Sequence, residues 1–143
     1  MSDAPLTAER LRELFASGPF DDATVERLLP YYTDDVVFTD PIQTVRGKAA
    51  FAEMNRRLIR RAKEIRFEAH DVAQQGDMVF ITWTMVMTMK IPAPPMRVEG
   101  VTHCTLRDGK VAAHRDYWDL LGSTMDMIPL AGPVYRAAVA LMG

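Results

Sequence analysis

The stretch THCTLRDGKVAAHRDYWDL, residues 102–120, decides the fold. Asp108-Gly109 is a strong hairpin signal between two alternating runs. On the incoming run the even positions are Val98, Gly100, Thr102, Cys104 and Leu106. They are drier than Arg97, Glu99, Val101, His103, Thr105 and Arg107. The outgoing run carries Ala112, His114, Asp116 and Trp118 on one side, against Arg115, Tyr117 and Asp119 on the other. A two-residue turn and a three-residue loop with a glycine bulge differ by one residue, which flips every cross-strand pair. Composition favours the bulged loop, because it brings both even sides to one face. Asp116 then faces inward beside Gly100 and Thr102. An inward carboxylate costs free energy unless it is paired or neutral, so this face reads as a pocket lining or as the seat of a buried pair.

Working outward, residues 64–74, 78–91, 97–107 and 110–120 read as four strands. Their connections are Gln75-Gly76-Asp77, Pro92-Ala93-Pro94-Pro95 and Asp108-Gly109. The N-terminal part has helical spacing instead. Thr7 caps a first helix with Leu11, Leu14 and Phe15 as its stripe, ended by Gly18-Pro19. Asp22 caps a short second helix carrying Val25, Leu28 and Leu29. A strand over DDVVFTDP stops at Pro41. Gly47 precedes a third helix with Phe51, Met54, Leu58 and Ala62 on one stripe. After Gly122 come a short apolar helix around residues 125–128, a break at Pro129 to Pro133, and an apolar last helix over 134–142. Helices first and antiparallel strands afterwards indicate an α+β fold with helices on one face of a curved sheet. The expected organisation is a single domain over residues 1–143, with 123–143 as a C-terminal helical extension folding back over the pocket opening or against a second subunit.

The 143 residues suffice for one domain with a real core. Apolar residues make up 48%, charged residues 25%, and the net charge is −2, so no global field favours nucleic acid. No signal peptide and no apolar run of membrane-span length is visible, and the single cysteine, Cys104, forms no disulfide framework. A cytoplasmic location is the expectation. No metal-ligand cluster and no phosphate loop is present in the sequence, so neither metal nor organic cofactor is expected. Arg56, Arg57, Arg60, Arg61 and Lys63 lack interleaved aromatics and read as the solvated face of the third helix. His70 and His103 carry no signal. In the second strand Trp83, Met85, Met87 and Met89 share one side, and Thr82, Thr84, Val86 and Thr88 the other. A methionine row ordinarily fills core; beside a tryptophan it also suits the wall of an apolar pocket.

YYTDDVVFTDPIQTVRGKAAF, residues 31–51, followed by four strands and DGKVAAHRDYWDL, residues 108–120, resembles the nuclear transport factor 2-like superfamily. That group includes ketosteroid isomerases, limonene epoxide hydrolases and polyketide cyclases of the SnoaL-like type. The resemblance covers roughly residues 7–121. It implies a cone-shaped barrel, a curved and mostly antiparallel sheet wrapped around the N-terminal helices, and a homodimer through the outer sheet face. By resemblance to the isomerases, Thr39-Asp40-Pro41 places Asp40 as a proton-shuttling base. Their tyrosine donor falls near Phe15 or Ala16 and their aspartic acid donor on Thr102, with His103 adjacent, so both donors are replaced. By resemblance to the epoxide hydrolases, Arg115-Asp116-Tyr117-Trp118-Asp119 puts Asp116 in the place of a catalytic carboxylate. Their Arg-x-Asp pair falls on Trp83 and Met85, and their water-holding tyrosine and asparagine on Phe38 and Asp40, which disfavours epoxide hydrolysis. An inward aspartate on this last strand is also what the cyclases use.

The expected function is a cofactor-independent proton transfer, of isomerase or cyclase type, on a small hydrophobic carbonyl substrate. Asp40 and Asp116, the latter oriented by His114, are the expected catalytic groups. Asp40 acts as base and Asp116 as neutral donor. Phe38, Trp83, Met85, Met87, Thr102 and Trp118 are the expected substrate contacts. Two rival readings are a non-catalytic protein that binds a small hydrophobic ligand and a dimeric interaction module. The plain reading of Asp40 is a turn acid bonding nearby backbone, and that of Asp116 is a structural pair with His114.

Overall fold

The chain starts with helices because its apolar residues recur at helical spacing, and it ends in strands because they then alternate. The computed structural model describes residues 4–16 and 18–143, without the side chain of Ala16. The helices are α1 (Ala8–Ala16), α2 (Asp22–Leu28) and α3 (Lys48–Arg61), followed after the sheet by α4 (Leu120–Met125) and α5 (Ala131–Ala140). The strands are β1 (Tyr32–Thr39), β2 (Thr44–Arg46), β3 (Ala62–Gln75), β4 (Met78–Met89), β5 (Met96–Arg107) and β6 (Lys110–Trp118). Thr7 caps α1 as expected, its Oγ1 accepting from Arg10 N at 3.2 Å. The cap of α2 is Asp21, one residue before the expected Asp22. Asp21 forms a reciprocal box with Thr24, a bond that Asp22 inside the first turn cannot make. Ala62 leaves the helical stripe and opens β3 directly.

The sheet runs β2-β1-β6-β5-β4-β3. All described pairs are antiparallel except β1 with β6. It is curved but unclosed, so the cone has β2 and β3 as free edges. On its concave side α1 packs on β3 and β4, while α3 reaches β1, β2 and β3 and so spans the gap between the two edges.

The hairpin at residues 107–110 differs from expectation in mechanism and agrees in outcome. Arg107 pairs with Lys110 across a two-residue turn, with φ of 52° at Asp108 and 74° at Gly109. Positive φ at both positions gives the turn the twist of its flanking strands, and Asp-Gly tolerates it. The extra residue sits inside β6. Leu106 pairs with Val111, but Thr105 pairs with Ala113, which leaves Ala112 as the bulge. Only this arrangement buries Val111 (0% exposed) and His114 (3%) on one face, since one position is odd and the other even. His70 meets Thr84 Oγ1 at 2.8 Å, and His103 stacks on Phe80.

The C-terminal segment does not close the cone. Asp119 caps α4 immediately after β6, its Oδ1 accepting from Gly122 N at 2.9 Å, and the chain turns back against β5. α5 packs on α4 and leaves Leu130, Val134 and Leu141 exposed. None of these residues reaches the opening, so the expected lid is absent from the single chain. The break and last helix are also displaced, because Pro133 lies inside the first turn of α5, where its missing N–H costs nothing. No helix of the described residues is long and apolar enough to cross a membrane.

Candidate functional site

Between the concave face of the sheet and helices α1 and α3 lies a cavity of about 320 Å³. That is at the lower end of the range of about 300–1,000 Å³ for small-molecule pockets. All nine expected site residues line it: Phe38, Asp40, Trp83, Met85, Met87, Thr102, His114, Asp116 and Trp118. So do Phe15, Phe20, Phe51 and Phe67, which the sequence reading had as core or left aside. Phe15 occupies one of the two places to which the isomerase tyrosine maps; the other, the side chain of Ala16, lies outside the described residues. The exposed lining residues are Ile42, Arg57 and Arg61, which mark the opening. Arg57 and Arg61 are exposed, as expected of the solvated face of α3, and they also line the cavity. One helical turn separates Arg57 from Arg61, and both follow the Met54–Leu58 stripe to the cavity rim.

A hydrogen-bonded chain converges on Asp116. Trp83 Nε1 donates to Thr102 Oγ1 at 2.8 Å, and Thr102 donates to Asp116 Oδ1 at 2.5 Å. His114 Nε2 meets the same Oδ1 at 2.9 Å, and Tyr32 Oη meets His114 Nδ1 at 2.9 Å. One assignment satisfies every group. In it Thr102 and His114 Nε2 both donate to Asp116 Oδ1, and Tyr32 donates to His114 Nδ1. Asp116 Oδ2 has no protein partner among the described residues. The registers Cys104 to His114 and Thr102 to Asp116 set this chain, while parallel pairing of β1 with β6 brings Tyr32 to the histidine. Tyr32 is the participant that sequence reasoning missed. Its neighbours in sequence read only as the start of a strand, and its partner is 82 residues away.

Asp40 sits in the turn between β1 and β2. Its Oδ1 accepts from the backbone N–H of Ile42 at 2.8 Å and of Gln43 at 2.9 Å. It therefore does the work of a turn acid while also lining the opening. Among the described residues no group of three His, Cys, Asp or Glu side chains is placed to hold a metal ion.

Burial suppresses the ionisation of two groups beneath the site. Desolvation, with the nearby Cys104 and Asp116, pushes the Tyr32 phenol well above its ordinary 10.0. Desolvation and Asp116 likewise push the Cys104 thiol well above 9.0. Both groups are neutral when protonated and have raised values in the folded chain. Their stabilising contribution is therefore complete below pH about 9 and declines as alkali deprotonates the unfolded chain first. Urea midpoints measured from pH 7 to 11 should fall above about 9, and less steeply in Cys104→Ala. A profile equally steep in that variant would contradict the thiol's share.

Gly100 makes room for Trp83. A Cβ there would lie 2.5 Å from Trp83 Cη2 and 2.9 Å from the Tyr117 carbonyl oxygen. Gly100→Ala should therefore destabilise by about 1–3 kcal/mol, since a buried ring must move against backbone. It should also disturb the Trp83–Thr102 bond. Unfolding indistinguishable from the parent would show that the indole does not lie across Gly100.

A family model described as a SnoaL-like domain matches residues 8–114. No curated protein matches the chain. Solved structures share its fold. An LEH-like epoxide hydrolase from M. tuberculosis is 22% identical over 94% of each chain, with a TM-score of 0.67. A candidate SnoaL-like polyketide cyclase from Jannaschia sp. CCS1 is 22% identical, covering 83% of this chain and 87% of its own, also at 0.67. TerC, co-crystallised with polyporic acid, is 20% identical, covering 85% of this chain and 98% of its own, at 0.69. With the cone-like sheet and a family match over most of its length, the chain belongs to the SnoaL-like domain family of the nuclear transport factor 2-like superfamily.

Proposed function

We propose that the protein is a cofactor-independent enzyme that moves a proton on a small, largely apolar carbonyl compound, in an isomerisation or cyclisation. The observation that carries this reading is Asp116. Its Oδ1 is held by two donors while its Oδ2 is left to an otherwise mostly apolar cavity. In the proposed step Oδ2 takes a proton from the carbon next to the carbonyl, and the C–H electron pair moves onto the carbonyl oxygen. Return of that proton to another carbon completes an isomerisation; attack of the enolate carbon on a second carbonyl closes a ring, and the proton held by Oδ2 passes to the alkoxide so formed. His114 and Thr102 hold the carboxylate in one orientation, which keeps the reacting oxygen aimed without reorganisation. Trp118 and Gln43 line the cavity, and the Trp118 Nε1 and the Gln43 side-chain amide have no hydrogen-bond partner among the described residues, so they suit the developing oxyanion.

In this reading Asp116 is the base, and Asp40 shapes the opening instead of shuttling the proton. The resemblance to a candidate polyketide cyclase supports the class. Trp83 and Met85, standing where the hydrolases need Arg-x-Asp, argue against epoxide opening. Association of two copies through the outer sheet face belongs to the same proposal, supported by half-exposed Phe80 and Tyr117 there. A second reading, a non-catalytic binder, draws on the internal pairing of the whole Tyr32–Trp83 network. The two separate on 2-tetralone, an apolar ketone with acidic α-protons. Exchange of those protons in D₂O, followed by NMR, should be faster with the protein than in buffer. Binding seen by tryptophan quenching, with exchange no faster than buffer, would overturn the enzyme in favour of the binder.

A further inference from the structure

The arginines of α3 divide by partner. Arg56 is ion-paired with Glu26, and Arg60 with Glu53 at 2.8 Å. Arg57 and Arg61 lie at the cavity opening and have no ion pair among the described residues. Glu53 feels Arg57 only through space, its carboxylate being bonded to Arg60. Asp40, the acid of the opening, has its Oδ1 committed to the turn. The two paired arginines thus face away, and the two unpaired ones face the cavity.

We propose that Arg57 and Arg61 receive an anionic end of the substrate, so that the molecule handled here is an amphipathic carbonyl compound with an apolar body and a terminal carboxylate. This rests on the cavity being the substrate site. Electrostatics orients such a molecule in one direction. Its anion is repelled by the Asp116 carboxylate and excluded by the aromatic and methionine walls, while two guanidiniums at the opening accept it without losing their own hydration. The spacing of one helical turn lets both planar forks reach a single carboxylate. With the anion held outside, the apolar body extends inward and its carbonyl region comes to Asp116. In a chain of net charge −2 the opening is a local positive spot.

The test compares two dyes with the same ring skeleton, 8-anilinonaphthalene-1-sulfonate and the neutral N-phenyl-1-naphthylamine. Both tryptophans of the chain line the cavity, so energy transfer from them reports a dye bound there. The parent should hold the sulfonate about tenfold more tightly than the neutral dye, as expected for two exposed charge contacts. The double variant Arg57→Gln/Arg61→Gln should lose that preference and bind the neutral dye unchanged. Arg56→Gln/Arg60→Gln, with the same loss of charge, should keep it. If the neutral dye binds but the sulfonate binds no tighter, the proposal is overturned and the apolar site stands. The same holds if both double variants lose the preference equally, since the effect would then be diffuse charge. If neither dye binds, the cavity reading fails and this inference with it.

Discussion

Asp116→Asn should reduce catalysed α-proton exchange of 2-tetralone by about 10²–10⁴-fold, the usual worth of a positioned general base. The substitution keeps shape. The amide oxygen can still accept from Thr102 and His114, so the fold and the cavity should persist. The nitrogen that replaces Oδ2 cannot take up a carbon-bound proton. Asp40→Asn should cost far less, within about tenfold, because an asparagine oxygen also accepts the two turn N–H groups of Ile42 and Gln43. Exchange rates and urea unfolding measured on the same preparations check both statements. If Asp116→Asn exchanges at the parent rate, Asp116 is a structural partner of His114 and nothing more. If Asp40→Asn is the variant that fails, the proton is shuttled at the opening, as the isomerase resemblance implies.

Tyr32→Ala should destabilise by about 3–5 kcal/mol, since it empties a ring-sized space in the core. The ring is fully buried and stacks on Phe51 at 4.7 Å between centroids. Tyr32→Phe separates packing from hydrogen bonding. It keeps the ring and removes only the hydroxyl, leaving His114 Nδ1 buried without its donor, at about 1–3 kcal/mol. Urea unfolding at pH 7 with an unchanged slope would show that stability and not denatured-state compactness has moved. Tyr32 acts through His114 and is a positioning residue. Tyr32→Phe should therefore slow exchange less than Asp116→Asn while altering its pH profile, because the tautomer of His114 is no longer fixed. Stability equal to the parent would mean that the phenol does not close the chain.

Much of the molecule follows from local pattern. Alternation over residues 64–120 and the Asp108-Gly109 pair specify antiparallel strands, because side-chain period and turn φ are decided within a few residues. The same alternation turns His114, Asp116 and Trp118 inward, and Thr7 marks the start of α1 by its hydroxyl. Which residue absorbs the bulge was not legible. A glycine in the loop and Ala112 in the strand turn His114, Asp116 and Trp118 inward alike, and the choice fell to packing of Val111 against the core. The partner of His114 was equally out of reach, since the parallel pairing of β1 with β6 joins segments far apart in sequence. The arginines show the limit most plainly. Arg56, Arg57, Arg60 and Arg61 read alike along the chain; Arg60 pairs with Glu53 on α3 itself and Arg56 with Glu26 of α2, and only the packing of α3 across the sheet puts the other two at the rim of a cavity. Period and turn chemistry act over one or two turns of chain, whereas a cavity exists only where elements distant in sequence stop short of touching.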